Sequence, residues 1–303
     1  MYQVQSCIEA VPSALVIFFS VAFFATIDYL LKRVSQNPNS LVYYLLFSQL
    51  VVEPSKTCVE INGNHPLTTD LDLQTTNSNG HMARPNKSDS SKNNKNNKIW
   101  KMQNIFLSEI HSIVSGPLAF VCVYLRPAML EDVVSTCTPL ALRLICFSLG
   151  YFVHDSIHML RRKVSTETIE LLFHHFIIFI TYGLAVVQRT YVAFAVVSLF
   201  MEVNSIFLHA RQLANLRRAN RSSIVYRFLC AANVGTLVTF RGITTAWMVR
   251  WIWSNWRLLP LPVALLGASG LVVISVMNIV LLARLVKADY FTNISNSQKA
   301  KAS

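Results

Sequence analysis

Charge is what this 303-residue sequence has least of: Asp, Glu, Lys and Arg together supply 14%, against about 25% in an ordinary soluble domain. That shortage excludes a typical water-soluble globular chain. The six cysteines contain no Cys-x-x-Cys spacing, and they are expected to act as small packing residues rather than as a disulfide frame or a metal site. Residues 1–10 hold no Lys or Arg, so the first apolar run lacks the basic start of a cleaved signal peptide and reads as a signal anchor. Histidine is also scarce for multi-box metal chemistry. Of eight imidazoles, His65 and His81 fall in a polar stretch and His111 stands alone, so no metal is expected.

What is present is apolar surface, at 53% of residues. Runs of about 20 such residues suffice to cross a hydrocarbon core of roughly 30 Å. They lie at residues 11–31, 105–124, 139–160, 168–187, 191–213, from about 224 to a tryptophan belt (Trp247, Trp251, Trp253, Trp256), and 261–286. The expected fold class is all-α, a polytopic transmembrane helix bundle of about seven spans. The expected organisation is an N-terminal signal-anchor helix (1–35), a cytoplasmic and largely disordered Asn/Ser/Lys-rich loop (36–99), a membrane domain (100–287) and a polar cytoplasmic tail (288–303). Within the loop, residues 41–52 are too short to span and fit an interfacial helix, while residues 62–98 lack the large apolar side chains that offset ordering entropy.

The net charge of +12 would suggest nucleic acid in a soluble chain. Here the Lys and Arg cluster in connecting segments, where anionic headgroups are the nearer partner, and no nucleic-acid partner is expected. The same asymmetry orients the chain, with its amino terminus outside and its carboxyl terminus in the cytoplasm. The sequons at Asn86 and Asn293 then face the cytoplasm and stay unmodified. Arg241, within two turns of the tryptophan belt, is expected to snorkel toward the outer headgroups, with pairing inside the bundle as the alternative.

Ionisable side chains within such spans are expensive and need a reason. His154, Asp155 and His158 end the third span, His174 and His175 lie in the fourth, and Glu202, Asn204, Ser205 and His209 lie in the fifth. The alternation of spans carries His158, His174, His175, Glu202 and His209 toward one leaflet, where they are expected to line a single cavity. Glu170, one turn before His174, is a candidate to orient its ring. Three readings stand open: a polar network that holds helices together, a metal site suggested by the His-x-x-x-His spacing, and an acyl-handling site in which an imidazole acts as base or nucleophile.

The run Phe173-His174-His175, followed by Tyr191 to Phe194 and by Glu202-Val203-Asn204-Ser205-Ile206-Phe207-Leu208-His209-Ala210-Arg211, resembles the TLC domain shared by ceramide synthases and several lipid-regulatory proteins. The segment from Ser112 through Tyr124-Leu125-Arg126-Pro127-Ala128-Met129-Leu130-Glu131-Asp132 resembles the branch of TLC domain-containing proteins 1 and 2. The resemblance covers roughly residues 100–286. It implies control of phospholipid acyl composition and membrane fluidity, limiting polyunsaturated chains, at the plasma membrane or alternatively the endoplasmic reticulum. Its partners would be phospholipids and fatty-acyl chains, with acyl-CoA as candidate substrate and no cofactor. His174, His175 and Glu202 would be the catalytic candidates, and His154, Asp155, His158, Asn204, Ser205 and His209 would contact substrate. The alternative is an acyl-CoA-dependent N-acyltransferase of the ceramide-synthase type. Ceramide synthases carry a His-Asp and a further Asp after their His pair, and this chain has Glu202, Asn204 and Ser205 at the matching place.

Overall fold

A computed structural model describes residues 12–37, 87–161 and 165–302, without side-chain detail at 87–93, 166–167 and 289–302. The expected interfacial helix at 41–52 lies outside the described residues. The described residues are helical throughout, with no strand. The helices are α1 (Ser13–Gln36), α2 (Lys87–Leu125), the single turn α3 (Ala128–Glu131), α4 (Pro139–Leu160), α5 (Thr166–Gln188), α6 (Val192–Ser198), α7 (Glu202–Leu216), α8 (Ile224–Thr236), α9 (Thr244–Asn255) and α10 (Leu261–Ala302). A 3₁₀ turn at Leu199–Met201 joins α6 to α7, and a π-helical segment at Leu237–Ile243 joins α8 to α9.

Among the described residues, six stretches are long and apolar enough to cross a membrane: Ser13–Gln36, Asn94–Leu125, Pro139–Leu160, Thr168–Gln188, Val192–Leu216 and Leu261–Ala288. The run expected as a further span, from α8 through the π segment to α9, is built of three shorter pieces, none of which reaches that length by itself. The chain is therefore a multi-pass helical membrane bundle. Its lipid-facing sides are apolar, as Phe18, Phe19, Val272 and Ile279 illustrate with more than half their surface exposed. Trp253 also projects outward, whereas Trp247 and Trp251 pack on the core.

Small residues set the closest crossings. At Gly150 an added Cβ would stand 2.5 Å from Ser20 Cβ and 2.8 Å from the Ile17 carbonyl oxygen, so α1 and α4 touch backbone to backbone there. Ser20 closes the crossing by donating to the Phe147 carbonyl at 2.6 Å. Fully buried Phe24 sits deeper in the same seam, its ring centroid 5.0 Å from Tyr151 and 5.4 Å from Phe147. At the opposite edge, Thr138 caps α4 by accepting from the Ala141 amide at 3.2 Å, and Pro139 occupies the first turn, where no intrahelical donor is missed.

At the level of the fold, the structure departs from the sequence reading in two places. The helix α2 begins at Lys87, so residues 87–98 are helical rather than loop; their lysines and asparagines continue a helix nucleated by the apolar run that follows. Residues 288–302, the polar tail, continue α10. Cys137 is disulfide-bonded, while Cys122, Cys146 and Cys230 are free. A disulfide is fixed by proximity in the fold, which spacing along the chain does not record.

Candidate functional site

The adjacent histidines of α5 face different neighbours, because successive helical residues diverge by about 100°. His175 is buried against α4: its Nδ1 lies 3.1 Å from Ser156 Oγ and its Nε2 3.8 Å from Asp155 Oδ2. Asn104 of α2 hydrogen-bonds Asp155, and its Oδ1 accepts from His158 Nδ1 at 2.8 Å. His158 Nε2 stands 3.4 Å from Asp28 Oδ1, and Asp28 pairs with Lys32. His154 lies beside His158, ring centroids 6.0 Å apart, and Trp100 stacks on His158 at 5.3 Å. These groups form a continuous polar chain from α1 through α2 and α4 to α5.

His174 turns the other way, into a cavity of about 160 Å³ lined by α5, α6, α7, the π segment, α9 and α10, with Phe152 of α4 at its edge. Its walls are apolar, from Ile178, Phe194, Trp251, Leu266 and Ile274 among others, and its polar groups include Glu202, Arg241 and Asn278. On α10 the lining runs from Val263 to Asn278, about 22 Å of helix at 1.5 Å per residue. The far end lies at Tyr191 and Leu259, beside the α5–α6 hairpin. That hairpin turns in three residues because Arg189 and Tyr191 adopt left-handed backbone conformations, φ 58° and 62°, and the Tyr191 amide donates to the Val134 carbonyl at 2.7 Å.

Glu202 starts α7 directly after the 3₁₀ turn. Its Oε2 accepts from Ser112 Oγ at 2.7 Å and lies 3.9 Å from His111 Nδ1. His111 in turn stacks on Tyr151, centroids 4.1 Å apart, and Tyr151 donates to Ser108 Oγ at 2.8 Å. Glu202 thus stands between the cavity and the core of α2 and α4. Ser205 Oγ accepts from Arg241 at 2.8 Å. Asn204 is fully buried and serves packing: its amide is within donor distance of the Asn233 carbonyl at 2.9 Å, of Asn233 Oδ1 at 3.2 Å and of Thr236 Oγ1 at 3.0 Å. His209 lies one turn beyond Ser205, hydrogen-bonded to Gln212.

A single cavity shared by His158, His174, His175, Glu202 and His209 is therefore corrected: His174 and Glu202 line the cavity, whereas His158 and His175 belong to the polar chain and His209 lies outside the lining. Glu170 does not reach His174; it pairs with Arg284 at 3.1 Å. Arg241 does not snorkel. The π segment widens the helical turn, so the 100° period counted along α8 no longer places residue 241, and the guanidinium enters the bundle. Ser112 and Asn104, the partners of Glu202 and His158, had no signal in the sequence beyond being polar within an apolar run. Among the described residues, no three His, Cys, Asp or Glu side chains converge as a metal ion requires.

Comparison with known proteins places these elements in a family. The TLC domain family matches residues 101–287, a span that takes in α2 after its first turns and every helix through most of α10. TLC domain-containing protein 2 of Danio rerio is 41% identical over 192 residues, covering 63% of this chain and 77% of that protein. The Homo sapiens TLC domain-containing protein 2 is 34% identical over 190 residues, 63% of this chain and 72% of that protein. The Homo sapiens TLC domain-containing protein 1 is 28% identical over 193 residues, 64% and 77% of the two chains. With more than half its length matched and its polar residues mounted on those same helices, the chain belongs to the TLC domain family.

Proposed function

We propose that this protein regulates the fatty-acyl composition of membrane phospholipids, and with it membrane fluidity, by handling acyl chains in the cavity between α5 and α10. The observation that carries the reading is the cavity's asymmetry: long apolar walls lead to His174, Glu202 and Arg241, a layout suited to one slender chain with its reactive or polar end held by the protein. The volume of about 160 Å³ falls below the roughly 300 Å³ of ordinary ligand pockets, which favours a single chain over a two-chain lipid. The resemblance to TLC domain-containing proteins 1 and 2 supports limitation of polyunsaturated chains as the direction of control, and the plasma membrane as the place.

A second reading, acyl-CoA-dependent N-acylation of the ceramide-synthase type, is favoured by one feature. His174 Nδ1 is buried without a hydrogen-bond partner at the cavity, where an imidazole could take a proton from an attacking amine. In either reading His174 and Glu202 are the functional pair, and His175 with its Asp155 and Ser156 contacts holds α5 against α4.

The test is lipidomics on cells lacking the protein, fed polyunsaturated fatty acid and rescued with wild type, His174→Ala or His175→Ala at matched expression. Phospholipids should gain polyunsaturated chains without the protein, recover with wild type, and fail to recover with His174→Ala. Unchanged phospholipids with altered ceramides would replace the main reading by the second. Full rescue by His174→Ala would remove both catalytic and binding roles from that ring.

A further inference from the structure

We infer that Arg241 is the anchor for an anionic headgroup, specifically the carboxylate of a single long-chain fatty acid whose tail occupies the adjoining cavity. The inference rests on the reading of that cavity as an acyl site and goes beyond it by assigning the ligand class and the group that holds it. Arg241 is a cation inside a membrane bundle, where charge is retained only with a partner. Its guanidinium donates to two neutral acceptors, Ser205 Oγ at 2.8 Å and Asn278 Oδ1 at 3.2 Å, and its Nε is buried without an acceptor. Glu202 lines the same cavity and is near enough to feel this charge, yet its Oε2 accepts from Ser112 rather than from the guanidinium. Among the described residues no carboxylate lies within ion-pairing distance of Arg241.

The surroundings aim this cation, which has no carboxylate bonded to it among the described residues. Asn278 is held by donating its own amide to Thr245 Oγ1 at 3.2 Å, so its oxygen stays turned toward Arg241. The π segment that carries Arg241 is placed where an extra residue per turn redirects the side chain into the cavity, a common use of such segments at functional sites. Arginine presents a planar donor fork that matches a carboxylate, and the walls beyond it are mostly apolar over about 22 Å, interrupted by the hydroxyls of Thr181, Tyr182 and Ser198. A ligand that satisfies both ends has one negative head and one hydrocarbon tail.

The experiment uses the full-length protein in detergent or nanodiscs, with radiolabelled oleate, oleyl alcohol and lysophosphatidic acid as probes. Wild type should bind oleate at least about tenfold more tightly than oleyl alcohol, the ratio expected of one charge-assisted hydrogen-bonded pair. Arg241→Met should abolish that preference while leaving oleyl alcohol binding unchanged, and Arg241→Lys should retain part of it. Gly270→Phe, which fills the cavity beside Ile177, should abolish binding of both. Because Arg241→Met could also loosen the bonds to Ser205 and Asn278, the wild-type comparison stands alone as a test: equal affinity for oleate and oleyl alcohol overturns the anchor. Tighter binding of lysophosphatidic acid than of oleate overturns the carboxylate assignment. Oleate preference in a protein whose loss leaves cellular phospholipids unchanged would refute the regulatory reading and uphold the anchor; a lipid phenotype with no oleate preference would do the reverse.

Discussion

Gly116 brings the backbone of α2 against Val203: a Cβ at that position would meet Val203 N at 3.1 Å, Val203 Cγ2 at 3.2 Å and the Glu202 carbonyl carbon at 3.3 Å. The next residue, Pro117, lies inside the same helix and removes one backbone donor. The approach keeps Ser112, one turn earlier, within 2.7 Å of Glu202. Gly116→Val should therefore push α2 away from the start of α7, costing about 1–3 kcal/mol as overpacking does, and should abolish lipid rescue. The control is Gly183→Ala on α5, where nothing lies within 4 Å of the added atom; it should fold and rescue as wild type. Thermal unfolding in detergent and the rescue assay read both, and a fully active Gly116→Val would show that the contact does not position Glu202.

His174 and His175 should separate by phenotype. His175→Ala removes contacts to Ser156 and Asp155 inside the bundle and should lower the unfolding temperature, because it leaves buried polar groups unsatisfied at about 1–3 kcal/mol. His174→Ala should leave stability close to wild type while losing the lipid effect. A stable His175→Ala together with an unstable His174→Ala would reverse the assignment.

Asn204 should behave as a structural residue despite standing between Glu202 and Ser205. Its amide joins α7 to α8 through Asn233 and Thr236, so Asn204→Leu should reduce stability and folded yield sharply, by about 1–3 kcal/mol for the lost bonds alone. Whatever folded protein remains should retain oleate binding, since the cavity lining is untouched. Normal stability in Asn204→Leu would indicate that this buried contact is dispensable.

The orientation in the membrane can be read chemically. Cys137, in the loop before α4, is disulfide-bonded, and structural disulfides persist on the extracytoplasmic side. Peptide mapping after thiol trapping should recover Cys137 in a disulfide-linked pair. The sequons at Asn86 and Asn293 should stay unglycosylated, whereas an acceptor sequon engineered into the turn at Trp256–Leu258 should gain a glycan and an endoglycosidase-sensitive mass shift. A glycan on Asn293 would invert the topology.

The bundle itself was legible because apolar runs of spanning length have few alternatives in a chain with so little charge, and the two-helix hairpin at Arg189 followed from polar residues between two such runs. Depth was legible too: alternation of spans carries His158, His174 and His175 toward one end. Direction was not. Which ring of an adjacent pair faces inward depends on helix rotation, and that rotation is decided by close contacts such as Gly150 against Ser20, which no period records. Arg241 shows the same limit more sharply. Its sequence context near a tryptophan belt suggested snorkelling, and one π segment re-aims it into the bundle. Cys137 was misread because cross-links join residues that are near in space only.

The wall formed by α10 bears on what this protein can discriminate. Only 11% of its most apolar window is buried, so one side of the helix faces the cavity and the rest faces hydrocarbon. A chain passing from bilayer to cavity exchanges one oily surrounding for another and gains almost no hydrophobic free energy. Greasiness is therefore invisible to this site. Any preference among chains must come from contour, through how a bent or straight tail fits beside Gly267 and Gly270, and from the charge at its end.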